Sequence, residues 1–199
     1  MFKSSDRVES RNKYYVVDES LNLCNYRKQG FVRCRVTISD NILQAMLLNV
    51  DEAMLKELEV SLHRDIPLTR SMGLHVVECN GHGLLIRAPL APNINHTATA
   101  FGGSLAAATT LVSWGMLWLV MKQLKQRASI LIQESSISYL RPVTKDFVAR
   151  CEYPSEEQIS KLLTTFERYG KGRIELQSEI FEDNKPCVGF RGRFVLLPD

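Results

Sequence analysis

The feature that most constrains this chain is one long apolar segment preceded by two adjacent glycines. The segment runs from Leu105 to Leu124, and Gly102 and Gly103 stand just before it. A helix that is apolar around its whole circumference must be covered on almost every side. The most apolar part, residues 105–121, is shorter than the ~20 residues of a membrane span and contains several hydroxyl groups. We therefore expect a buried central helix and no membrane span.

The two glycines give the start of this helix a particular chemical character. They leave its first N–H groups free of side-chain cover, at the positive end of the helix dipole. Two asparagines, Asn93 and Asn95, stand just upstream, in a loop that follows a strand-like segment. This pattern predicts a site that binds a partly negative carbonyl oxygen. The G-x-S-x-G elbow is absent around Ser104, so the pattern supplies no evident nucleophile.

Periodicity and capping residues predict the elements on both sides of the central helix. Asp51 can cap a helix with apolar residues at helical spacing, and Ser155 opens a capping box for a second helix that ends near Tyr169. Strand-like segments lie at residues 74–79, 83–90, 129–140, 147–153, 174–182 and 187–197, with turns predicted at Asn80-Gly81 and Asp183-Asn184. This order predicts an α+β fold in which an antiparallel sheet wraps around a long central helix.

Composition narrows the classes of function. The net charge of +3 is far from the basic excess typical of nucleic-acid-binding domains, so no nucleic-acid partner is expected. The five cysteines are odd in number, scattered and without a C-x-x-C pair, which predicts reduced thiols, no metal site and a cytoplasmic location. Residues 1–50 have no clear period and are predicted to be an extension of uncertain order. Residues 51–199 are predicted to form the folded domain.

Four sequence blocks carry a resemblance to a known family. They are Ala88–Asn95, Phe101–Ser104, Trp114–Leu119 and Ile137–Val143. With these blocks, residues 51–199 resemble the hot-dog thioesterase family found as the C-terminal domain of bacterial YiiD-type proteins. The resemblance covers about three quarters of the chain and leaves residues 1–50 unexplained.

The resemblance implies a homodimer or a tetramer, with active sites between protomers, acting on acyl-CoA or acyl-carrier-protein thioesters in fatty acid metabolism. It places the thioester carbonyl against the amides of Gly102 and Gly103, with Asn95 as a third catalytic group and no cofactor. Many such enzymes carry His-Gly-Gly at this point and an acidic residue nine positions after the histidine. This chain has Phe101 and Thr110 at those two positions.

These two departures leave the reaction open. Hydrolysis needs a base to activate water, and Glu134 or His96 would have to replace the missing acid. Decarboxylation of a malonyl thioester needs only stabilisation of the enolate oxygen, and some members of the resembling family are malonyl-carrier-protein decarboxylases with an asparagine at the position of Asn95. A non-catalytic acyl-binding module is the third hypothesis. The residues predicted to line the substrate site are Asn93, His96, Phe101, Ser104 and Thr110.

Overall fold

The computed structural model describes the backbone of residues 23–28 and 31–36 and all atoms of residues 50–80 and 83–199. The chain divides into two compact units, Met1–Ile38 and Ser39–Asp199. In the first unit, β1 (Leu23–Lys28) and β2 (Phe31–Val36) pair antiparallel. The apolar residues there have no clear period, and the sequence therefore did not predict this hairpin. The rest of the predicted extension lies outside the described residues, and its boundary at residue 50 stays a prediction.

Four α-helices are described in the second unit: α1 (Glu52–Asp65), α2 (Leu68–Ser71), α3 (Gly102–Gln123) and α4 (Glu156–Tyr169). The two predicted caps are confirmed. The Asp51 carboxylate accepts the N–H of Met54 at 2.8 Å, and Ser155 forms a complete capping box with Gln158. The short helix α2 was not predicted.

Six strands of the second unit form one antiparallel sheet: β3 (His75–Asn80), β4 (Gly83–Ala88), β5 (Ser129–Tyr139), β6 (Phe147–Cys151), β7 (Gly172–Glu182) and β8 (Lys185–Leu197). Their spatial order is β3-β4-β6-β7-β8-β5. The β7–β8 turn is confirmed at Asp183 and Asn184, both of which have positive φ. The predicted turn at Asn80-Gly81 falls partly outside the described residues.

Helix α3 is the core of this unit. It packs against β4, β5, β6, β7 and β8, so the predicted α+β architecture with a sheet around a long helix is confirmed. By length and composition α3 could cross a membrane, but 67% of its most apolar window is buried within the fold. The helix approaches the sheet closely at Gly115, where a Cβ atom would lie 3.0 Å from Leu84.

One side of α3 and the strand beside it remain accessible. The less buried face of the helix carries Thr110, Trp114 and Trp118, which are all half-buried. Beside it, β5 forms one edge of the described sheet, and both of its faces are largely exposed. This combination leaves the start of α3 at an accessible surface of the unit.

Candidate active site

Of the two residues predicted to supply N–H donors at the start of α3, Gly103 is exposed and Gly102 is half-buried. Phe101 is the N-cap residue, and its own N–H is bonded to the carbonyl of Asn93 at 2.7 Å. The first intrahelical bond of α3 runs from Leu105 N–H to Phe101 O. Among the described residues, no acceptor lies on the N–H groups of Gly102, Gly103 and Ser104, which belong to the first turn.

Phe101 covers the glycine pair from one side. Its side chain makes no capping hydrogen bond and is 56% exposed. A Cβ atom added at Gly103 would lie 2.3 Å from the nearest carbon of the Phe101 ring, so the ring occupies the space of a missing side chain. Phe101 therefore supplies an apolar wall at the position where the resemblance led us to look for a histidine.

Tyr139 lies on the other side of the pair, at the end of β5. Its hydroxyl donates a hydrogen bond to the carbonyl of Gly102 at 3.0 Å. Its ring lies 3.4 Å from the position of a Cβ atom at Gly102, which is ordinary van der Waals contact. Tyr139 belongs to one of the four sequence blocks, but no residue pattern indicates that this exposed tyrosine reaches a glycine thirty-seven positions away.

The side chain of Asn95 is bonded to its own loop. Its Oδ1 accepts the N–H of Thr97 at 2.9 Å, the hydroxyl of Thr97 at 2.8 Å and the N–H of Thr99 at 3.2 Å. Its Nδ2 donates to Thr99 Oγ1 at 3.0 Å and, at the longer distance of 3.4 Å, to the carbonyl of Ala100. Asn95 is therefore an organiser of the loop, and the amide proton directed at Ala100 is the least tightly held.

That loop is fixed at both ends. Ala100 donates its N–H to Val143 O at 2.8 Å and forms a bridge with Ile94. The segment after Val143 is held in turn by the carboxylate of Glu182, which accepts the hydroxyl of Thr144 at 2.6 Å and its N–H at 2.7 Å. These bonds from Thr144 lower the pKa of Glu182 below its ordinary value of 4.5.

Asn93 is a buried brace. Its side chain is 2% exposed, and its Nδ2 donates to the carbonyls of Met72 at 2.8 Å and Pro89 at 2.7 Å. Its backbone carbonyl holds the N–H of Phe101. Asn93 thus ties the ends of α2 and β4 to the start of α3, and its predicted contact with substrate stays a prediction.

The remaining candidates are dispersed. Ser104 and Thr110 are half-buried on α3, and Thr110 lies about two turns beyond the glycines. His96 is exposed at the tip of the loop. Glu134 lies in the middle of β5 and pairs with the guanidinium of Arg193 at 2.7 Å. The structure brings none of these side chains into a hydrogen bond with Asn95.

Besides Glu182, Cys151 and Asp146 are among the described groups with clearly shifted pKa values. Burial raises the pKa of the Cys151 thiol to about 12, so this thiol stays protonated. The N–H of Leu90, 2.9 Å away, is the largest influence that lowers the pKa of Asp146. Neither group shares a hydrogen bond with Gly102 or Gly103. The candidate site therefore consists of main-chain N–H groups without an acceptor, beside the ring of Phe101 and the hydroxyl of Tyr139.

Solved structures share this architecture. A protein of unknown function from Chlorobaculum tepidum TLS is 33% identical, with a TM-score of 0.73 over 78% of this chain and 99% of that one. A putative thioesterase from Shewanella oneidensis is 31% identical, with a TM-score of 0.65 over 74% of this chain and 100% of that one. A thioesterase from Haemophilus influenzae, 16% identical, shares the fold with a TM-score of 0.56 over 77% of this chain and 95% of that one.

The sequence itself matches a family model. The match extends over residues 55–198, which is most of the second unit and includes the glycine pair, the loop of Asn95 and Tyr139. The resemblance inferred from the four sequence blocks is thereby confirmed, as is the hot-dog fold that it implied. This chain belongs to the family described as putative thioesterase (yiiD_Cterm).

Proposed function

We propose that this protein hydrolyses acyl thioesters carried on coenzyme A or on an acyl carrier protein. Membership of the family supports an acyl-thioester enzyme in general terms. The observation that carries the proposal is the set of accessible N–H groups at Gly102, Gly103 and Ser104. They lie at the positive end of a 22-residue helix, where a carbonyl oxygen gains most from hydrogen bonds as it becomes negative.

The chemical step is addition of water to the thioester carbonyl. The water oxygen bonds to the carbonyl carbon, and the carbonyl oxygen becomes an oxyanion held by the amides of Gly102 and Gly103. The C–S bond then breaks, the sulfur leaves with a proton, and the products are a carboxylic acid and a free thiol. Loss of one such donor typically costs about 3–4 kcal/mol of transition-state stabilisation.

Asn95 contributes to the proposed reaction in two ways: it holds the loop in its fold, and one of its Nδ2 protons can bind the substrate carbonyl. The hydrogen bond from Nδ2 to the carbonyl of Ala100 is the longest of its bonds, at 3.4 Å, and is therefore the one that Asn95 would exchange for a bound carbonyl. The other bonds of Asn95 keep the loop folded during this exchange. This proposal gives Asn95 both a positioning and a polarising part.

A second candidate reaction is decarboxylation of a malonyl thioester. One observation favours it: Phe101 and Thr110 stand where a histidine and an acid would activate water, and Glu134 is engaged by Arg193. In this reaction the bond between the carboxylate and the α-carbon breaks and carbon dioxide leaves. The electron pair forms an enolate whose oxygen lies on the same amides, and the α-carbon then takes a proton from water.

A homodimer is part of the proposal. Leu131, Ile132 and Tyr139 expose apolar surface on β5, whose outer edge is free among the described strands. A second copy paired along β5 would extend the sheet and cover the accessible face of α3 that carries Trp114 and Trp118. Such pairing would also close the glycine site, which bulk water reaches in the single chain through the exposed Phe101 and Tyr139 surfaces.

Product analysis with purified protein tests the proposal. Acetyl, malonyl and longer acyl thioesters of coenzyme A and of a carrier protein are incubated with the protein, and thiol and carbon dioxide are measured separately. Free thiol supports hydrolysis, and carbon dioxide with an intact thioester supports decarboxylation. Saturable binding without turnover would show a non-catalytic acyl-binding module and would contradict both reactions. The cytoplasmic location remains a proposal based on cysteine usage.

A further inference from the structure

We propose that Tyr139 is a positioning residue that strengthens the Gly103 donor through the peptide bond between Gly102 and Gly103. The inference rests on the proposed function of the glycine site. Its basis is a covalent fact: the carbonyl of Gly102 and the N–H of Gly103 are the two ends of one peptide group. The hydroxyl of Tyr139 bonds to that carbonyl at 3.0 Å, while the N–H at the other end is accessible.

A hydrogen bond to the oxygen of an amide draws electron density away from its nitrogen. The N–H of the same amide then becomes a stronger donor, which is how chains of hydrogen bonds reinforce one another. The peptide of Gly102 and Gly103 lies in the first turn of α3, so the helix dipole acts in the same direction. Tyr139 therefore acts on the oxyanion through this peptide and does not need to touch the substrate.

The position of Tyr139 is set by the sheet. Tyr139 is the last residue of β5 and pairs with Val188 of β8. The next residue, Leu140, donates its N–H to Cys187 O at 2.8 Å, which holds the end of the strand in register. The ring then packs against Gly102 at van der Waals distance. The hydroxyl donates its single proton in the hydrogen bond to Gly102 O, so it is not free to protonate a leaving group in this arrangement.

The expected effect is moderate and specific. If cooperative polarisation adds 10–30% to one oxyanion donor, removal of the hydroxyl lowers kcat by roughly two- to eightfold. The ring remains in Tyr139→Phe, so substrate binding and the fold stay as they are. We therefore expect an unchanged KM, since the lost stabilisation is realised mainly as the oxygen becomes charged.

The test compares Tyr139→Phe with Tyr169→Phe. Tyr169 is also exposed, ends α4, and contacts Arg168 through its ring, a contact that phenylalanine retains. For each variant, kcat and KM are measured on the thioester that the wild-type protein turns over. The amide-nitrogen resonance of Gly103 is recorded by NMR, because its frequency responds to hydrogen bonding at the preceding carbonyl.

Support requires two changes in Tyr139→Phe that are absent in Tyr169→Phe: a moved Gly103 resonance and a lower kcat at constant KM. An unchanged Gly103 resonance overturns the inference, whatever happens to activity. An unchanged kcat, or a change confined to KM, overturns it as well. If the wild-type protein turns over no thioester, the proposed function fails, and the Gly103 resonance alone then decides whether Tyr139 polarises this peptide.

Discussion

The aromatic ring of Phe101 lies over the α-carbon of Gly103, in the space that a side chain at position 103 would need. The two residues stand two positions apart at the start of α3, and the ring of one restricts the size of the side chain at the other. With the ring in its present position, a side chain larger than hydrogen at residue 103 does not fit.

Gly103→Ala is expected to lower kcat/KM strongly without unfolding the protein. The new Cβ would stand 2.3 Å from the Phe101 ring, so either the ring or the start of the helix must move away from its present position. Because one misplaced oxyanion donor costs about 10²–10³ in kcat, a loss of at least tenfold is expected. Alanine favours helix by about 1 kcal/mol over glycine, which protects the fold.

The double variant Phe101→Ala, Gly103→Ala isolates the steric cause. In the Phe101→Ala background, the alanine at position 103 meets no ring, and its effect on kcat/KM should largely vanish. Gly189→Ala is the matched control, since a Cβ there has no neighbour within 4 Å. Equal losses from Gly103→Ala in both backgrounds would show that the ring contact is irrelevant.

The two proposed roles of Asn95, organising the loop and polarising the carbonyl, can be separated with Asn95→Asp and Asn95→Ala. Aspartate keeps the acceptor for the N–H groups of Thr97 and Thr99 but cannot donate to Ala100 O or to a substrate. If polarisation matters, both variants lose about a hundredfold in kcat, in the range expected for one oxyanion donor. Near-normal turnover of Asn95→Asp would leave Asn95 with the loop-organising part alone.

The sequence predicted the secondary-structure elements around this site better than the hydrogen bonds of its side chains. The caps at Asp51 and Ser155 and the start of α3 at the glycine pair agree with the sequence-based predictions, because capping and helix entry depend on residues within four positions of one another. The side-chain amide of Asn95 makes its hydrogen bonds within its own loop only because the backbone there has particular angles, including the left-handed φ of 61° at Ala98. No pattern of residue types reveals such angles.

If the protein forms the proposed dimer along β5, Ile132→Asp is expected to yield a monomer and to abolish turnover. Ile132 is exposed on the edge strand β5, and a carboxylate there would be buried without a partner in the paired sheet. Sedimentation velocity measures the change. Val77→Asp, exposed on the opposite edge strand β3, is the control. Dissociation by Val77→Asp instead of Ile132→Asp would place the interface at the other edge.

Glu182→Gln is expected to make stability less sensitive to acid. The folded-state pKa of Glu182 is lowered, first by the hydroxyl of Thr144 and then by its N–H. A lowered pKa contributes stability that is present above the ordinary value of 4.5 and is lost as the pH falls through the folded-state value. The Tm of the wild type should therefore fall more steeply than that of Glu182→Gln between roughly pH 5 and pH 3.

The exposed Glu157 on α4 supplies the control for this measurement. Glu157→Gln also removes one exposed carboxylate but leaves the contacts of Glu182 with Thr144 intact, so it measures what the loss of a negative charge alone does to the slope of Tm against pH. Identical slopes for wild type and Glu182→Gln would mean that Glu182 does not titrate in the way its contacts with Thr144 indicate.

The sequence did not predict two features that arise from the pairing of strands. Tyr139 meets Gly102 only because the register of β5 against β8 ends beside the first turn of α3. The β1–β2 hairpin was missed for another reason: its residues carry no periodic apolar pattern from which a buried face could be read. Both depend on pairing between segments, which local preference does not specify.

A site whose hydrogen-bond donors are backbone N–H groups can change its reaction without losing those donors. Swapping side chains around Gly102 and Gly103 leaves the oxygen-binding amides in place, because the donors belong to the backbone itself. Which bond of a bound thioester breaks would then depend on whether a neighbouring position delivers an activated water. We propose position 110, where this chain has threonine, as one such position: an acid introduced there is expected to favour release of thiol over release of carbon dioxide.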